Sequence, residues 1–196
     1  MKILMKNIIA LFVILTFTSC GILQQVTEMK TFGECEFEIS RIENVFLAGV
    51  DIQGKNDVSD LDILDGAKII SAFAKGELPL MLDLYLTVKN SNNTTASMNK
   101  LEWVLYIDDI EMLQGVSTES IQVPANNGVA ELPLHMNMDL LKVLSSESRK
   151  VVLNFGFNLA GKGTQKSRIM IKAKPTILIG NSYINYPGYI TIKKEI

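Results

Sequence analysis

Leu82-Asp83-Leu84-Tyr85-Leu86-Thr87-Val88-Lys89 places an apolar side chain at every second position, and Leu101-Glu102-Trp103-Val104-Leu105-Tyr106-Ile107-Asp108 does so again. A period of two belongs to a strand, whose successive side chains point to opposite faces. Val151, Leu153, Phe155, Phe157 and Leu159 repeat the pattern around Asn154, Gly156 and Asn158. Shorter candidate strands are Phe37 to Ile52, Ser117 to Val123, Val129 to His135, Arg168 to Ile179 and Tyr189 to Ile192. Turn-forming residues separate these runs at Asn90-Ser91-Asn92-Asn93, Asp108-Asp109, Pro124-Ala125-Asn126-Asn127-Gly128 and Gly161-Lys162-Gly163. Strands at such spacing, without regular βαβ alternation, predict a mainly β protein built as an antiparallel β-sandwich. Trp103 shares a face with Leu101, Leu105 and Ile107, which puts its indole between the two sheets, opposite the strands through Leu84 and Phe155.

Two short helices interrupt the strands. Ser59-Asp60-Leu61-Asp62 resembles a capping box ahead of Leu64, Ala67, Ile70 and Phe73, with Gly76 as the stop. Met138 to Ser146 is the second, with Leu140, Leu141 and Leu144 placed to cover one open end of the sandwich.

The chain before this domain reads as a targeting segment. Lys2 and Lys6 precede the apolar run Ile8 to Phe17, and Thr18-Ser19-Cys20-Gly21 follows, the pattern of a bacterial lipoprotein signal. A run this short does not suit a bilayer span, which needs about 20 apolar residues. The expected chain therefore comprises a signal peptide over 1–19, a lipidated N-terminus and short tether over 20–35, and a β-sandwich over 36–196. Acyl chains such as palmitate on Cys20 contribute about 0.8 kcal/mol per buried methylene, so two or three of them hold the protein on its membrane. The stretch from Gly21 to Cys35, fully extended, reaches at most about 50 Å. A disulfide from Cys20 to Cys35 is the competing reading, and it excludes the lipid. Gly21-Ile22-Leu23-Gln24-Gln25 has no aspartate after the cysteine and no acidic cluster. That favours an outer-membrane position facing the periplasm over export to the cell surface.

Charge narrows the function classes. The chain carries a formal net charge of −2, which becomes −4 once Lys2 and Lys6 are removed with the signal. Nucleic-acid binding, which needs a clustered basic face, is disfavoured. Gly156 to Gly163 comes close to a phosphate-binding loop, but Gly163 stands where Ser or Thr must follow Lys162, and the strand alternation runs through it. Asp57, Asp60, Asp62 and Asp65 fail the calcium-loop pattern, because Leu64 and Ser71 occupy ligand positions, and they suit a helix N-terminus better. His135 is the single histidine and lies at a strand end, without the partners of a zinc site or a triad. Asp108 and Asp109 read as a hairpin turn, and the sequons in Asn92-Asn93-Thr94-Thr95 have no meaning behind a bacterial signal. No catalytic, cofactor or metal site is expected, and Cys35 is expected to be a small apolar residue or a free thiol.

The order of motifs resembles the late embryogenesis abundant (LEA) type 2 family, which carries the WHy domain. The resemblance rests on Ile42-Glu43-Asn44-Val45, Leu47-Ala48-Gly49-Val50-Asp51, Val88-Lys89-Asn90-Ser91-Asn92, the Leu101 to Asp108 strand, Gly115, and Val123-Pro124-Ala125 followed by Gly128. Lys174-Pro175 and Tyr186-Pro187-Gly188-Tyr189-Ile190 are similar to the close of its lipoprotein members in Bacteroidetes. Ser91 stands where the family commonly has proline. The resemblance implies a fibronectin-like or immunoglobulin-like sandwich, no catalytic residues, and a role in stress tolerance or desiccation protection. The expected function is thus a non-catalytic, membrane-anchored envelope module that interacts with an envelope protein or protects under stress. The alternative is a carrier holding a lipid or other apolar ligand between the sheets or along the Phe155/Phe157 face.

Overall fold

The computed structural model describes residues 21–53, 55, 60–143, 166–179 and 181–195. In chain order these form a helix α1 (residues 21–33), β1 (Glu36–Leu47), β2 (Val50–Asp51), α2 (Ile63–Ala74), β3 (Pro79–Asn90), β4 (Ala96–Met98), β5 (Lys100–Ile107), β6 (Ile110–Ser117), β7 (Ile121–Val123), β8 (Gly128–Asp139), α3 (Leu140–Val143), β9 (Arg168–Ile179), β10 (Ser182–Asn185) and β11 (Ile190–Glu195). One sheet has the order β2-β1-β3-β8, and a second has β10-β9-β5-β6 with β11 also paired to β9. All pairings are antiparallel, and β4 with β7 forms a small third sheet.

The alternation read from the sequence is what closes the two sheets on each other. Leu80, Leu82, Leu84, Leu86 and Val88 of β3 are buried, as are Leu101, Trp103, Leu105 and Ile107 of β5, and all join one core with Leu132 and Leu134 of β8 and Ile169 and Ile171 of β9. Each such side chain contributes about 1.5–3 kcal/mol of burial. Trp103 is 4 % exposed, as expected for an indole between sheets. It pairs across the ladder with Gly115, where a Cβ would stand 2.1 Å from Trp103 Cζ2, so the glycine leaves the space that the ring fills. Among the described strands β8 lies at the edge of its sheet, a place where a proline such as Pro133 is tolerated.

The turns follow their residue types. Ala48 and Gly49 both have positive φ in the two-residue hairpin between β1 and β2, and Asp108 and Asp109 do the same between β5 and β6. The expected strand over Ser117 to Val123 divides into the end of β6 and β7. The second predicted helix starts later than expected: Met138 and Asp139 end β8, paired with Leu80 and Pro79, and among the described residues only Leu140–Val143 form α3, whose Leu140 is 1 % exposed. Leu144 and the predicted strand Val151 to Leu159 lie outside the described residues.

The described part of the expected tether, residues 21–35, carries a helix. From Gly21 to Gly33 the chain is helical, and Met29, Thr31 and Phe32 are buried. Val26, Met29 and Phe32 recur at helical spacing, which allows one side of the helix to dock on the sandwich. The first helix predicted after the sandwich begins, α2, is capped by Asp62, whose side chain accepts from the Asp65 backbone N–H at 2.7 Å, and Gly76 with φ +78 ends it. Its apolar face is not a core face, since Ile63, Leu64, Ile70 and Phe73 are all exposed.

Candidate functional site

Strand direction gives the sandwich two ends. β1 starts and β3 finishes at the proximal end, beside α1; β1 finishes and β3 starts at the distal end, beside α2. The proximal end gathers most of the sequence motifs that chemistry alone left unexplained.

There α1 is fixed by several independent contacts. Phe32 packs edge-to-face on Phe37 with centroids 5.3 Å apart. The Thr31 and Thr94 hydroxyls lie 3.0 Å apart, and Ser97 donates to Glu28 at 2.6 Å. Gly33 receives the Tyr186 ring so closely that a Cβ would lie 2.3 Å from Tyr186 Cε2. Tyr186 is itself placed by its backbone N–H, which donates to the Pro175 carbonyl at 2.9 Å. Tyr186, the first residue of the Tyr186-Pro187-Gly188-Tyr189 motif, thus acts as a seat for the end of α1. Cys35 follows as a free, buried thiol that donates to the Thr31 carbonyl at 3.3 Å. Burial, with Glu34 and Glu36 adding to it, pushes this thiol up to about 11. It is a packed group with little thiolate, the opposite of an activated cysteine.

Asn90 is the polar centre of this end and is fully buried. Its amide donates to the Thr94 and Val123 carbonyls at 2.8 and 3.1 Å, and its carbonyl oxygen accepts from the Asn92 backbone and side-chain N–H groups, both at 3.1 Å. Backbone bonds from Asn127 to Asn90 and from Asn126 to Asn92 stitch in the next loop. Asn126 and Asn127 both have positive φ, and a Cβ on Gly128 would lie 2.2 Å from the Pro124 carbonyl oxygen. Asn90-Ser91-Asn92 and Pro124 to Gly128 therefore form one interlocked corner. Ser91 does not disturb it, and its hydroxyl donates to Glu36 at 2.9 Å.

The remaining candidate residues are dispersed. His135 and Asp83 meet at 2.6 Å on the outer face of the first sheet, and Asn44 donates to the other oxygen of Asp83 at 2.7 Å. These two contacts hold the Asp83 carboxyl below the usual range, Asn44 contributing more than His135. The pair orients an imidazole, and among the described residues no hydroxyl or thiol is hydrogen-bonded to it. Arg41 lies 3.7 Å over the Tyr85 ring and pairs with Glu43 and Glu131 on the same face. Asp108 accepts from the Arg168 backbone N–H and Asp109 pairs with the Arg168 guanidinium, so both serve the turn. Asp62 caps α2, while Asp65 pairs with Lys68 and Lys55. Among the described residues no group of three or more His, Cys, Asp or Glu side chains is placed to hold a metal ion. Cys20, Asp57, the Gly156 to Gly163 loop and the Phe155/Phe157 face lie outside the described residues.

The β9–β10 hairpin was not legible as a strand pair. It carries Leu178, Tyr183 and Ile184 exposed beside the proximal end, and Leu178 is held by its N–H donating to Asn99 at 2.9 Å. Its signal was the apolar Tyr183-Ile184 beside the turn residues Gly180-Asn181.

No family model and no curated protein matches the chain. Solved structures similar to it include a crystal structure of a protein from Archaeoglobus fulgidus, at 14 % identity and TM-score 0.35, covering 60 % of this chain and 84 % of that one. A solution structure of a protein from Arabidopsis thaliana is similar at 14 % identity and TM-score 0.35, covering 61 % of this chain and 70 % of that one. Another, assigned provisionally to the late embryogenesis abundant proteins, is similar at 12 % identity and TM-score 0.32, covering 93 % of this chain and 83 % of that one.

Proposed function

We propose that this chain is a lipid-anchored module of the bacterial envelope whose β-sandwich serves interaction or protection under stress, without catalysis. The observation that carries the anchoring is Thr18-Ser19-Cys20-Gly21 after a basic and apolar leader, with Gly21 the first residue of a helix docked on the sandwich. The stress-protective half follows from the resemblance of the Asn90, Gly115 and Pro124 to Gly128 motifs to the LEA type 2 family. The structure gives those residues packing work: they lock a corner and seat Trp103, and they do not converge on an open cleft. A carrier would need apolar space between the sheets. There Leu84, Leu86, Trp103, Leu105, Leu132 and Ile171 belong to one buried cluster, which favours the module.

Fractionation of cells expressing the full chain or its Cys20→Ala variant tests the reading, combined with survival after drying. The full chain is expected in the outer-membrane fraction and the variant in the soluble periplasm, with survival lowered when the protein is absent or released. A variant that stays with membranes would remove the anchor from the account. Unchanged survival in a strain lacking the protein would remove the protective role and leave partner binding.

A further inference from the structure

We infer that the proximal end is a second membrane contact: the first turn of α1 and the β9–β10 hairpin together lie in the lipid headgroup layer, so that the sandwich is held in one orientation on the bilayer. The inference rests on acylation of Cys20 and adds to it. Along α1, burial starts only at Val26, while Gly21 to Gln25 are exposed, including Ile22 at 46 % and Leu23 at 67 %. A helix rises about 1.5 Å per residue, so Gln25 lies about 6 Å along the axis from Gly21, which is joined to the acylated cysteine by one Cα–Cα step of about 3.8 Å. The headgroup layer on each side of a bilayer is about 5–8 Å deep. The exposed turn, which begins one residue after the acylated cysteine, is therefore held beside that layer.

The hairpin is carried to the same level by rigid contacts. Gly33 sits against Tyr186, whose N–H is bonded to Pro175, whereas eight residues earlier in α1 Gln25 borders the same cleft as Asn99 and Ile177. Helix and hairpin therefore run side by side toward the N-terminus of α1. Ile184 pairs with Ile177 and Tyr183 with Leu178, which places exposed Leu178, Tyr183 and Ile184 abreast of the exposed turn. Lys100 lies 5.7 Å over the Tyr183 ring, an aromatic with a cation beside it, the side-chain pairing that suits a headgroup layer. The apolar face of α2 is also exposed, but it lies at the distal end, beyond a β1 strand of twelve residues, or about 36–40 Å. Chain continuity with Cys20 selects the proximal end.

Full-length Tyr183→Cys and Ile70→Cys proteins, each labelled with a thiol-reactive bimane, would be reconstituted in phosphatidylethanolamine/phosphatidylglycerol vesicles with or without headgroup spin-labelled lipid. Both positions are exposed, Cys20 is consumed by acylation and Cys35 is buried, so each protein reports from one site. Bimane at position 183 is expected to be quenched at least twofold more than at position 70. Equal, weak quenching at both sites, in protein whose N-terminal peptide is acylated, overturns the second contact while sparing the anchor. Stronger quenching at position 70 overturns it in favour of α2 facing the bilayer. An unacylated N-terminal peptide overturns the anchor and the inference together.

Discussion

Gly115→Ala tests the centre of the sandwich with a single methyl group. The new Cβ would stand 2.1 Å from Trp103 Cζ2 and 2.5 Å from Cε2, where ordinary contacts begin at 3.4 Å, so the ring has to retreat by more than an ångström. Trp103 is surrounded by buried Leu101, Leu105, Ile171 and Ala173 in the same cluster, and a packed core resists such movement. Overpacking of this kind costs about 1–3 kcal/mol, against about 3–5 kcal/mol for the cavity left by Trp103→Ala. Either is a large share of the 5–15 kcal/mol typical of a domain. Urea unfolding followed by circular dichroism gives the two single costs, and the double variant gives their coupling. Removing the indole removes the clash, so the alanine at 115 should cost at least about 1 kcal/mol less in the Trp103→Ala background. A cost below about 0.5 kcal/mol in the parent, or the same cost in both backgrounds, refutes the pairing.

Asn90→Ala leaves the buried Val123 carbonyl without its partner, at about 1–3 kcal/mol, and also removes three part-buried bonds to Thr94 and Asn92, so a loss above about 2 kcal/mol is expected in the same assay; a loss under about 0.5 kcal/mol would mean the corner is not interlocked. The Cys35 thiol, pushed up from 9.0 to about 11, favours the folded state below pH 9.0 and ceases to do so as pH rises through about 11. Iodoacetamide at pH 8.5 should therefore modify it at least tenfold more slowly in folded than in urea-unfolded protein, and equal rates would place the thiol at the surface. Asp83, lowered from 3.8, contributes stability that is present above that value and lost as pH falls through its folded pKa. Asp83→Asn should flatten the acid limb of the stability curve below about pH 4, and an unchanged limb would show that Asn44 and His135 do not favour the charged form.

Strand alternation made the sandwich readable because one face of β3 and β5 is buried along its whole length. Trp103 could be placed for the same reason, from its neighbours at 101, 105 and 107. β6 was harder to see: Gly115 interrupts its apolar pattern, and a register shift between Leu105 and Tyr106 breaks the phase. β4 has three residues, too short for a period to show, and β7, equally short, was read only as the end of one strand from Ser117 to Val123. The helical spacing of Val26, Met29 and Phe32 was present in the chain, but its place just after Cys20 invited the tether reading. α2 shows the converse failure, since Leu64, Ile70 and Phe73 have helical spacing but stay exposed, while Ile69 is the residue that packs against the core. The proximal end was legible as motifs but not as a site. Gly33 with Tyr186, and Asn90 with Val123, are joined only by the fold, and neither pair has local spacing to announce it.

The central proposal is that this β-sandwich is tied to a membrane through its first mature residue. Intact mass and fragmentation of the N-terminal peptide, from protein purified out of bacterial membranes in detergent, test it most directly. The account predicts a chain beginning at Cys20 and bearing two or three acyl chains. A chain that still carries residues 1–19, or one that begins at an unmodified Cys20, would contradict it.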